Sequence, residues 1–289
     1  MSPCVVRLIM DHKSRRKCDL DHVPFARMRR VRLDTLLSER GMFPSRSRAA
    51  ASVLAGEVLL LPDRRRADKP GQLVPEDVEL EVRDAPRFAS RGGQKLANAL
   101  DTLALDVAGR RGLDVGASTG GFTDCLLQRG AEHVVAVDVA YGELDWRLRN
   151  DARVTVIERR NARSLRPDEL PYAPELIVID VSFISLEKIL PAVLACAAPR
   201  FDCLALVKPQ FEVGREHVGK GGVVRDADTR RRALVEVGRA AVGLGASVLG
   251  YASSGLPGPK GNLETFVWLA ETSRDGVADL QLAAAEVEP

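Results

Sequence analysis

Three charged residues adjoin apolar segments and a fourth follows a glycine-rich segment, and together they could support acid–base chemistry. Asp180 and Lys208 each come directly after an apolar run, Lys95 follows a Gly-Gly-Gln segment, and Glu264 stands just before another apolar run. A surface ion pair would explain any one of them. Two acids and two lysines near one glycine-rich turn are harder to explain in that way. We therefore predict that they form a catalytic group: Lys95, Asp180, Lys208 and Glu264.

The glycine-rich turn lies between a short apolar run and a predicted helix, and it reads Leu113-Asp-Val-Gly-Ala-Ser-Thr-Gly-Gly-Phe-Thr123. Glycines at such a turn let the backbone approach a nucleotide-like ligand closely. The GxGxxG fingerprint of dinucleotide sites lacks its middle glycine here, and Asp114 suits the cationic amino-acid end of S-adenosylmethionine better than a pyrophosphate. A tight connection without any ligand is the alternative. The predicted cofactor contacts in this segment are Asp114, Gly116, Ser118, Gly120, Gly121, Phe122 and Thr123.

Two later polar residues extend the predicted cofactor site. Asp138 ends an apolar run at about 20 residues beyond the turn, where an acid suits a ribose diol. NAD and S-adenosylmethionine both carry this diol, and an acid there could also cap a helix. Asp138 alone therefore does not decide between the two cofactors or exclude a structural role. Asn161 follows another apolar run and could hydrogen-bond an adenine edge, although Asn is common in turns. Asp180 is predicted to contact the cofactor as well as to act in catalysis.

The composition excludes several classes of protein. The chain has 289 residues, of which 45% are apolar and 28% charged, and this predicts a folded protein of roughly two domains. Its 5 Cys are widely spaced, with no CxxC pair or His/Cys cluster, so we expect no metal site and no disulfide scaffold. The uncharged apolar runs are far shorter than the ~18–20 residues of a membrane helix. Early charges also argue against a signal peptide. We expect a cytoplasmic protein.

The charge is distributed unevenly along the chain. Residues 1–70 carry 16 Lys and Arg against 8 Asp and Glu, whereas the whole chain has a net charge of only +2. A basic front end on a mildly acidic body predicts contact with a polyanion such as RNA. A solvated basic surface is the alternative.

The periodicity divides the chain into five parts. Residues 1–27 show no pattern and are expected to be disordered, residues 28–84 read as a small α+β domain, and residues 85–91 form a polar linker. From 92 to 272, strand and helix patterns alternate, which predicts an α/β fold with a doubly wound, mostly parallel sheet. The predicted strands are 112–115, 133–138, 154–157, 176–180, 203–207, 247–252 and 265–269, and the predicted helices begin near 95, 121, 186 and 229. Residues 273–289 are rich in alanine and acids, and we expect this tail to fray.

The small domain resembles the RNA-binding domain of a small-subunit ribosomal protein, which also precedes the catalytic part of many pseudouridine synthases. The resemblance rests on Arg32-Leu-Asp34, Ser45-Arg46, Gly56-Glu-Val58 and Lys69-Pro-Gly71. In that family the second helix and its arginines face structured RNA, which suits recognition of shape and phosphate. The resemblance implies this role for Arg32, Arg46 and Arg48, and we add the adjacent basic run Arg64, Arg65 and Arg66.

Long motifs in the rest of the chain resemble the TlyA family. They are Ser90-Arg-Gly-Gly-Gln-Lys-Leu96, the glycine-rich turn, Asp138-Val-Ala-Tyr-Gly-Glu-Leu144, Ile179-Asp-Val-Ser-Phe-Ile-Ser185 and Val207-Lys-Pro-Gln-Phe-Glu212. The resemblance implies an RNA-binding domain joined to a Rossmann-like, FtsJ-like methyltransferase domain that uses S-adenosylmethionine. It also implies 2′-O-methylation of cytidines in 16S and 23S ribosomal RNA, in 30S and 50S subunits, and some members carry a hemolysin name. The Lys-Asp-Lys-Glu pattern of FtsJ-like enzymes falls on Lys95, Asp180, Lys208 and Glu264.

The sequence departs from the family pattern in three places: the 27-residue lead, the linker Arg87-Phe-Ala-Ser90, and Arg160, where a smaller residue is frequent.

Three competing functions are less well supported by the sequence. A dehydrogenase needs the missing glycine, a pore-forming hemolysin needs a membrane segment, and a non-catalytic RNA-binding protein leaves the catalytic group unexplained. Lys208 could act as a neutral base or as a cation that stabilises an alkoxide, and the residues leave both roles open. They also leave the oligomeric state open.

Overall fold

The computed structural model describes residues 29–43, 45–82 and 87–288, and the chain divides into two compact units, residues 1–85 and 86–289. The predicted disordered extension at residues 1–27 lies outside the described residues.

The first unit is a small α+β fold, as expected. Its helices are α1 (Leu33–Glu39) and α2 (Arg46–Ala55), and its strands are β1 (Arg30–Arg32), β2 (Val58–Leu60), β3 (Arg65–Arg66), β4 (Leu73–Pro75) and β5 (Leu80–Val82). Strand β1 pairs with β4, and β2 lies between β3 and β5; all of these pairings are antiparallel.

Local sequence signals explain the helices of this unit. The backbone N–H of Arg48 donates to the Ser45 side chain at 3.2 Å, which caps the start of α2. Gly56 ends α2 in the left-handed conformation, at φ 78°. Leu33, Leu36 and Leu37 are spaced i, i+3, i+4 in the sequence, which is typical of one helix face. They are buried in one core with Ala49 and Val53 of α2, so this is the face by which α1 packs.

The second unit is built on a sheet whose strands, in residues 87–288, number seven. They are β6 (Arg111–Val115), β7 (His133–Val137), β8 (Val154–Ile157), β9 (Leu176–Ile179), β10 (Asp202–Val207), β11 (Ala246–Ser253) and β12 (Thr265–Glu271), in the order β11-β12-β10-β9-β6-β7-β8. The run from β10 to β8 is parallel, and β12 is antiparallel to both of its neighbours. This is the predicted mostly parallel, Rossmann-like sheet.

Helices cover both faces of this sheet. They are α3 (Arg91–Thr102), α4 (Gly121–Gln128), α5 (Trp146–Arg149), α6 (Leu190–Leu194), α7 (Pro209–Glu212), α8 (Ala227–Gly243) and α9 (Leu280–Val287). Short 3₁₀ turns occur at Ala162–Ser164, Pro167–Glu169, Leu186–Lys188 and Arg215–His217. The helix predicted from residue 186 is split because Pro191 cannot donate a helical hydrogen bond. Within the described ranges, no helix is long and apolar enough to cross a bilayer.

Side chains alternate between the two faces along each parallel strand. Leu113 and Ile177 pack in the layer that contains α6, α8 and α9, whereas Val134 and Leu204 pack in the layer that contains α3 and α4. Both faces are thus closed by apolar contacts. The carboxyl ends of the parallel strands remain as the edge where their following loops meet.

The described part of the predicted linker is not a loose connection. Phe88 is buried, and the backbone N–H of Ala89 donates to Asp124 Oδ2 at 2.7 Å. Ser90 accepts from the Gly92 N–H and caps α3, which begins at Arg91 rather than near residue 95. Residues 87–91 therefore belong to the second unit. The polar composition of the segment predicted a linker, because only one of its residues, Phe88, packs into the core.

The tail was expected to fray, and this expectation was wrong. Asp279 accepts from the backbone N–H groups of Gln281 and Leu282 and so caps α9. Ala284 is fully buried, and Arg230 Nε donates to Glu288 Oε2 at 2.6 Å. Ala284 lies in the core, with Leu280, Ala283 and Val287 packed beside it, and these residues form the apolar face of α9. Glu288, directly after α9, pairs with Arg230 on α8.

Replacing Glu288 should destabilise the second unit. In Glu288→Ala, the largely buried Arg230 loses its carboxylate partner, and we expect the free energy of unfolding to fall by about 2–3 kcal/mol. Urea unfolding measures this. Glu286→Ala is the matched control, because Glu286 is an exposed acid in α9 only two positions before Glu288. Equal midpoints for the two variants would contradict the assignment.

Candidate active site

The glycine-rich turn connects β6 to α4 and lies against the end of β9. Gly116 adopts φ +84°, and a Cβ at this position would stand 2.3 Å from the backbone oxygen of Asp180. Only glycine fits there. The backbone N–H of Gly116 donates to Val137 O at 2.8 Å, which ties the turn to β7 as well. The ends of three strands therefore meet around one loop.

Two adjoining cavities open at this edge, with volumes of about 1080 and 450 Å³. Gly116, Ser118, Asp180 and Ser182 line both, so the two cavities form one continuous cleft. The cleft is large enough for a nucleotide-like cofactor and part of a second ligand.

Seven of the predicted cofactor residues line the cleft: Gly116, Ser118, Gly121, Phe122, Asp138, Asn161 and Asp180. The carboxylate of Asp138 accepts from the backbone N–H groups of Ser118 and Ala140, each at 2.7 Å. Asn161 Oδ1 accepts from the backbone N–H of Arg163 at 3.1 Å. The side chains predicted to bind a ribose and an adenine thus also shape their own loops.

Asp114, Gly120 and Thr123 are not among the residues that line the cleft. Asp114 is completely buried, and its Oδ2 accepts from the Thr123 backbone N–H at 2.8 Å and from Thr123 Oγ1 at 2.7 Å. Burial raises the pKa of Asp114 to about 7, and the Thr123 bonds only partly oppose this. Asp114 Oδ1 has no hydrogen-bond partner among the described residues, and the predicted contact with a cationic cofactor group stays a prediction. The carboxyl group fastens the first turn of α4 to β6.

The four predicted catalytic residues are brought together as two ion pairs. Lys208 Nζ lies 2.5 Å from Asp180 Oδ1 and donates to Ser182 Oγ at 2.9 Å. Asp180 and Lys208 become neighbours because they follow the adjacent parallel strands β9 and β10. Lys95 forms a buried ion pair with Glu264. The smaller cavity is lined by Lys95, Asp180 and Lys208. Glu264 is buried and does not line this cavity.

Sequence reasoning missed Ser182 and Asn262. Ser182 lines both cavities and contacts Lys208; the available signal was its position two residues beyond Asp180. Asn262 is buried, accepts from the Val224 N–H at 2.9 Å and donates to Gly222 O at 2.8 Å. It anchors the loop that carries Glu264, and no local sequence pattern predicts this.

Arg160, noted above as a departure from the family pattern, lines the larger cavity and pairs with Glu169 at 2.5 Å.

The predicted RNA-facing arginines lie on the first unit, and several are paired with acids. Asp34 is buried and accepts from Arg32 at 3.0 and 2.7 Å and from Arg46 at 3.4 Å. The Arg32 guanidinium holds the pKa of Asp34 at about 2. One buried carboxylate therefore orients two of these arginines.

The remaining predicted arginines differ in their contacts. Arg64 pairs with Glu81 at 2.6 Å, Arg65 pairs with Asp68 at 2.9 Å, and Arg66 donates to Leu54 O at 3.3 Å. Arg48 is exposed, and within the described ranges no side chain pairs with its guanidinium. Arg48 thus presents its charge to solvent with the least competition.

The perturbed carboxyl group of Asp114 should make stability depend on pH. Its pKa of about 7 lies above the ordinary value of 3.8, so the folded state binds the proton more tightly. Its contribution is complete below about pH 4 and is lost as the pH rises towards 7, at up to about 1.4 kcal/mol per pH unit. Asp114→Asn, which stays neutral, should not show this loss. Urea unfolding of both proteins across this range measures the difference, and parallel curves would rule the shift out.

Comparisons with known proteins agree with this geometry. The FtsJ-like methyltransferase family model matches residues 88–271. The 16S/23S rRNA (cytidine-2′-O)-methyltransferase TlyA of Mycobacterium tuberculosis is 51% identical over 243 residues, which cover 83% of this chain and 90% of the relative. Hemolysin A of Brachyspira hyodysenteriae is 37% identical over 238 residues, which cover 81% of this chain and 97% of the relative.

A solved structure gives the same result. A protein from Streptococcus thermophilus that bears a hemolysin name is 39% identical, with a TM-score of 0.67, and the match covers 90% of this chain and 96% of that one. The family match spans the whole described cleft, and the relatives extend over the first unit as well. The chain therefore belongs to the TlyA family, and its second unit is an FtsJ-like methyltransferase domain.

Proposed function

We propose that this protein transfers a methyl group from S-adenosylmethionine to the ribose 2′-oxygen of a cytidine in ribosomal RNA. The observation that carries the proposal is the Lys208–Asp180 pair, which lies on the cleft beside the glycine-rich turn of a methyltransferase domain. The printed function of the Mycobacterium tuberculosis relative supports the same chemistry and the same class of substrate.

S-adenosylmethionine is the cofactor of this domain, and it supplies an electrophilic methyl group when bound. The cleft fits such a ligand because Gly116, which has no side chain, lets the turn lie directly against the backbone at the end of β9. The space above the edge of the sheet is therefore open to a ligand. We assign Asp138 to the ribose hydroxyls and Asn161 to the adenine, and this assignment is supported by the position of both residues in the lining of the larger cavity. Asp180 lines both cavities and so borders the cofactor and the reacting ribose.

Lys208 is the residue that we assign to the 2′-oxygen. A ribose hydroxyl is a poor nucleophile and must lose its proton as it attacks. As a cation, Lys208 stabilises the developing alkoxide; as a neutral amine, it accepts the proton. In either role, Asp180 and Ser182 fix the position of Nζ, and the low exposure of the lysine strengthens its electrostatic effect. Lys95, which pairs with Glu264 and also lines the smaller cavity, orients the ribose.

Replacement of Lys208 should separate binding from chemistry. We expect Lys208→Ala to keep its affinity for S-adenosylhomocysteine in calorimetry and to lose at least about 100-fold in kcat, because no other group replaces Nζ. Lys208→Arg keeps the charge but not the base, so partial activity in this variant favours charge stabilisation. Wild-type turnover in Lys208→Ala would remove the assignment.

We infer that the first unit binds ribosomal RNA through its arginines. Residues 1–70 hold the basic excess, Asp34 orients Arg32 and Arg46, and Arg48 is exposed beside them on α2. Such contacts reach phosphates and suit recognition of folded RNA by shape. Both 30S and 50S subunits are candidate substrates, which would place the enzyme in the cytoplasm. Only the name of some relatives connects the chain to hemolysis.

Removal of Arg48 should weaken RNA binding in a salt-dependent manner. We expect Arg48→Ala to lower the affinity for ribosomal subunits and to reduce the slope of log affinity against log salt by about 1. Affinity for S-adenosylhomocysteine should not change. Arg239→Ala, an exposed position on α8, is the control. If both variants keep the wild-type slope, Arg48 is not a phosphate contact.

The direct test of the function uses purified 30S and 50S subunits from a strain that lacks the enzyme. Labelled S-adenosylmethionine is supplied, and the modified nucleotide is mapped by primer extension that is sensitive to 2′-O-methylation. Label on a cytidine 2′-oxygen in either subunit supports the proposal and identifies the substrate. No label in either subunit, with cofactor binding intact, would exclude ribosomal subunits as the acceptor.

A further inference from the structure

We propose that Asp34, although it is an acid, strengthens the binding of RNA because it joins Arg32 and Arg46 into one site for a single phosphate group. This role rests on the proposed function, since it concerns the surface that we assign to ribosomal RNA. The two arginines belong to different elements, because Arg32 ends β1 and Arg46 begins α2. We call these three residues the arginine clamp.

Both arginines of the clamp contact the same carboxylate oxygen. Arg32 Nε donates to Asp34 Oδ1 at 3.0 Å, and Arg32 Nη2 donates to Asp34 Oδ2 at 2.7 Å. Arg46 Nη2 donates to the same Oδ2 at 3.4 Å. The two Nη2 atoms therefore lie at most about 6 Å apart, and two hydrogen bonds of about 2.9 Å can bridge this gap to one phosphate.

The carboxylate of the clamp is fixed, whereas its guanidinium groups are accessible. The Asp34 side chain is only 7% exposed, and its Oδ1 also accepts from the Thr35 backbone N–H at 2.8 Å. The side chains of Arg32 and Arg46 are 50% and 57% exposed. Across the described part of the first unit, neither arginine pairs with another acid. Each guanidinium has five N–H donors, so several are left for a second anion.

The charges of the clamp suit a phosphodiester. Two guanidinium groups and one carboxylate leave one net positive charge. Without the acid, two neighbouring cations would repel each other, and the exposed side chains would separate. The alternative is that Asp34 only neutralises the arginines and so opposes RNA binding. The two explanations predict opposite signs for the effect of removing the acid.

A backbone turn limits the space of the clamp on a further side. Residues 69–72 form this turn, in which the Gln72 N–H donates to Lys69 O at 3.1 Å. A Cβ at Gly71 would lie 3.0 Å from Nη1 and from Nη2 of Arg32. The φ of Gly71 is not in the left-handed region, so this glycine provides room for the guanidinium rather than an unusual backbone conformation. A larger residue there displaces Arg32 without changing any charge.

The first test is a double-mutant cycle on the affinity of the full chain for ribosomal subunits. We expect Asp34→Asn to weaken binding at least about fivefold, although it removes a negative charge. In the Arg32→Ala/Arg46→Ala background, the same substitution should not weaken binding further. Stronger binding of Asp34→Asn overturns the proposal, because the acid then acts only through its charge. Equal weakening in both backgrounds also overturns it, because this indicates a general loss of structure.

The salt dependence decides whether the two arginines share one phosphate. We expect Arg32→Ala/Arg46→Ala to reduce the slope of log affinity against log salt by about 1, whereas two separate phosphate contacts would reduce it by about 2. Contacts to bases would leave the slope unchanged. A reduction by about 2 or an unchanged slope therefore overturns the shared site.

Replacement of Gly71 tests the clamp while every charge is kept. We expect Gly71→Val to weaken binding by about threefold or more. Gly243→Val is the control, because a Cβ at Gly243, near the exposed end of α8, meets no atom within 4 Å. Wild-type affinity of Gly71→Val overturns the proposal even if Asp34→Asn does not fold.

The binding measurements are independent of methyl transfer. A wild-type protein that binds subunits but labels no cytidine would remove the proposed chemistry and leave the clamp to be judged by its own variants. A wild-type protein that binds no ribosomal subunit would overturn the clamp.

Discussion

The structure depends on the pairing of charges that have been taken out of water. A carboxylate or an ammonium group that is buried while charged costs several kcal/mol unless a group of opposite charge pairs with it. Lys95 on α3 can be buried only because Glu264 arrives from the segment before β12, and Lys208 after β10 relies on Asp180 after β9. These two pairs require α3, β9, β10 and β12 to meet at one edge of the sheet. The fold and the proposed chemistry thus share one electrostatic requirement.

The loops around this edge are fixed by groups that do not themselves react. Gly116 lets the turn approach Asp180, the buried Asp114 fastens α4 to β6, and Asn262 anchors the loop before β12. Each of these contacts joins backbone from two different elements. The position of a reacting side chain is therefore set by hydrogen bonds that lie one layer further from the cleft.

Much of this arrangement could be predicted from the sequence because local signals carry it. The apolar runs that became parallel strands, the cap at Ser45 and the stop at Gly56 all act within a few residues. The proximity of Asp180 and Lys208 was also predictable, because they directly follow adjacent strands. Their catalytic role stays a prediction. Contacts between distant segments were not visible. The packing of residues 88–89 and of helix α9 depends on partners far along the chain, whereas composition alone suggested a linker and a fraying tail.

The hydrogen bonds of Asp138 have a consequence for the entropy of binding. Its carboxylate already accepts from the backbone of Ser118 in the glycine-rich turn and of Ala140 in the loop after β7. Both loops are therefore ordered before any ligand arrives, and their conformational freedom is lost during folding rather than during association. A cofactor that enters this cleft finds the proposed ribose site already assembled. Binding of the cofactor should then be fast and close to rigid-body.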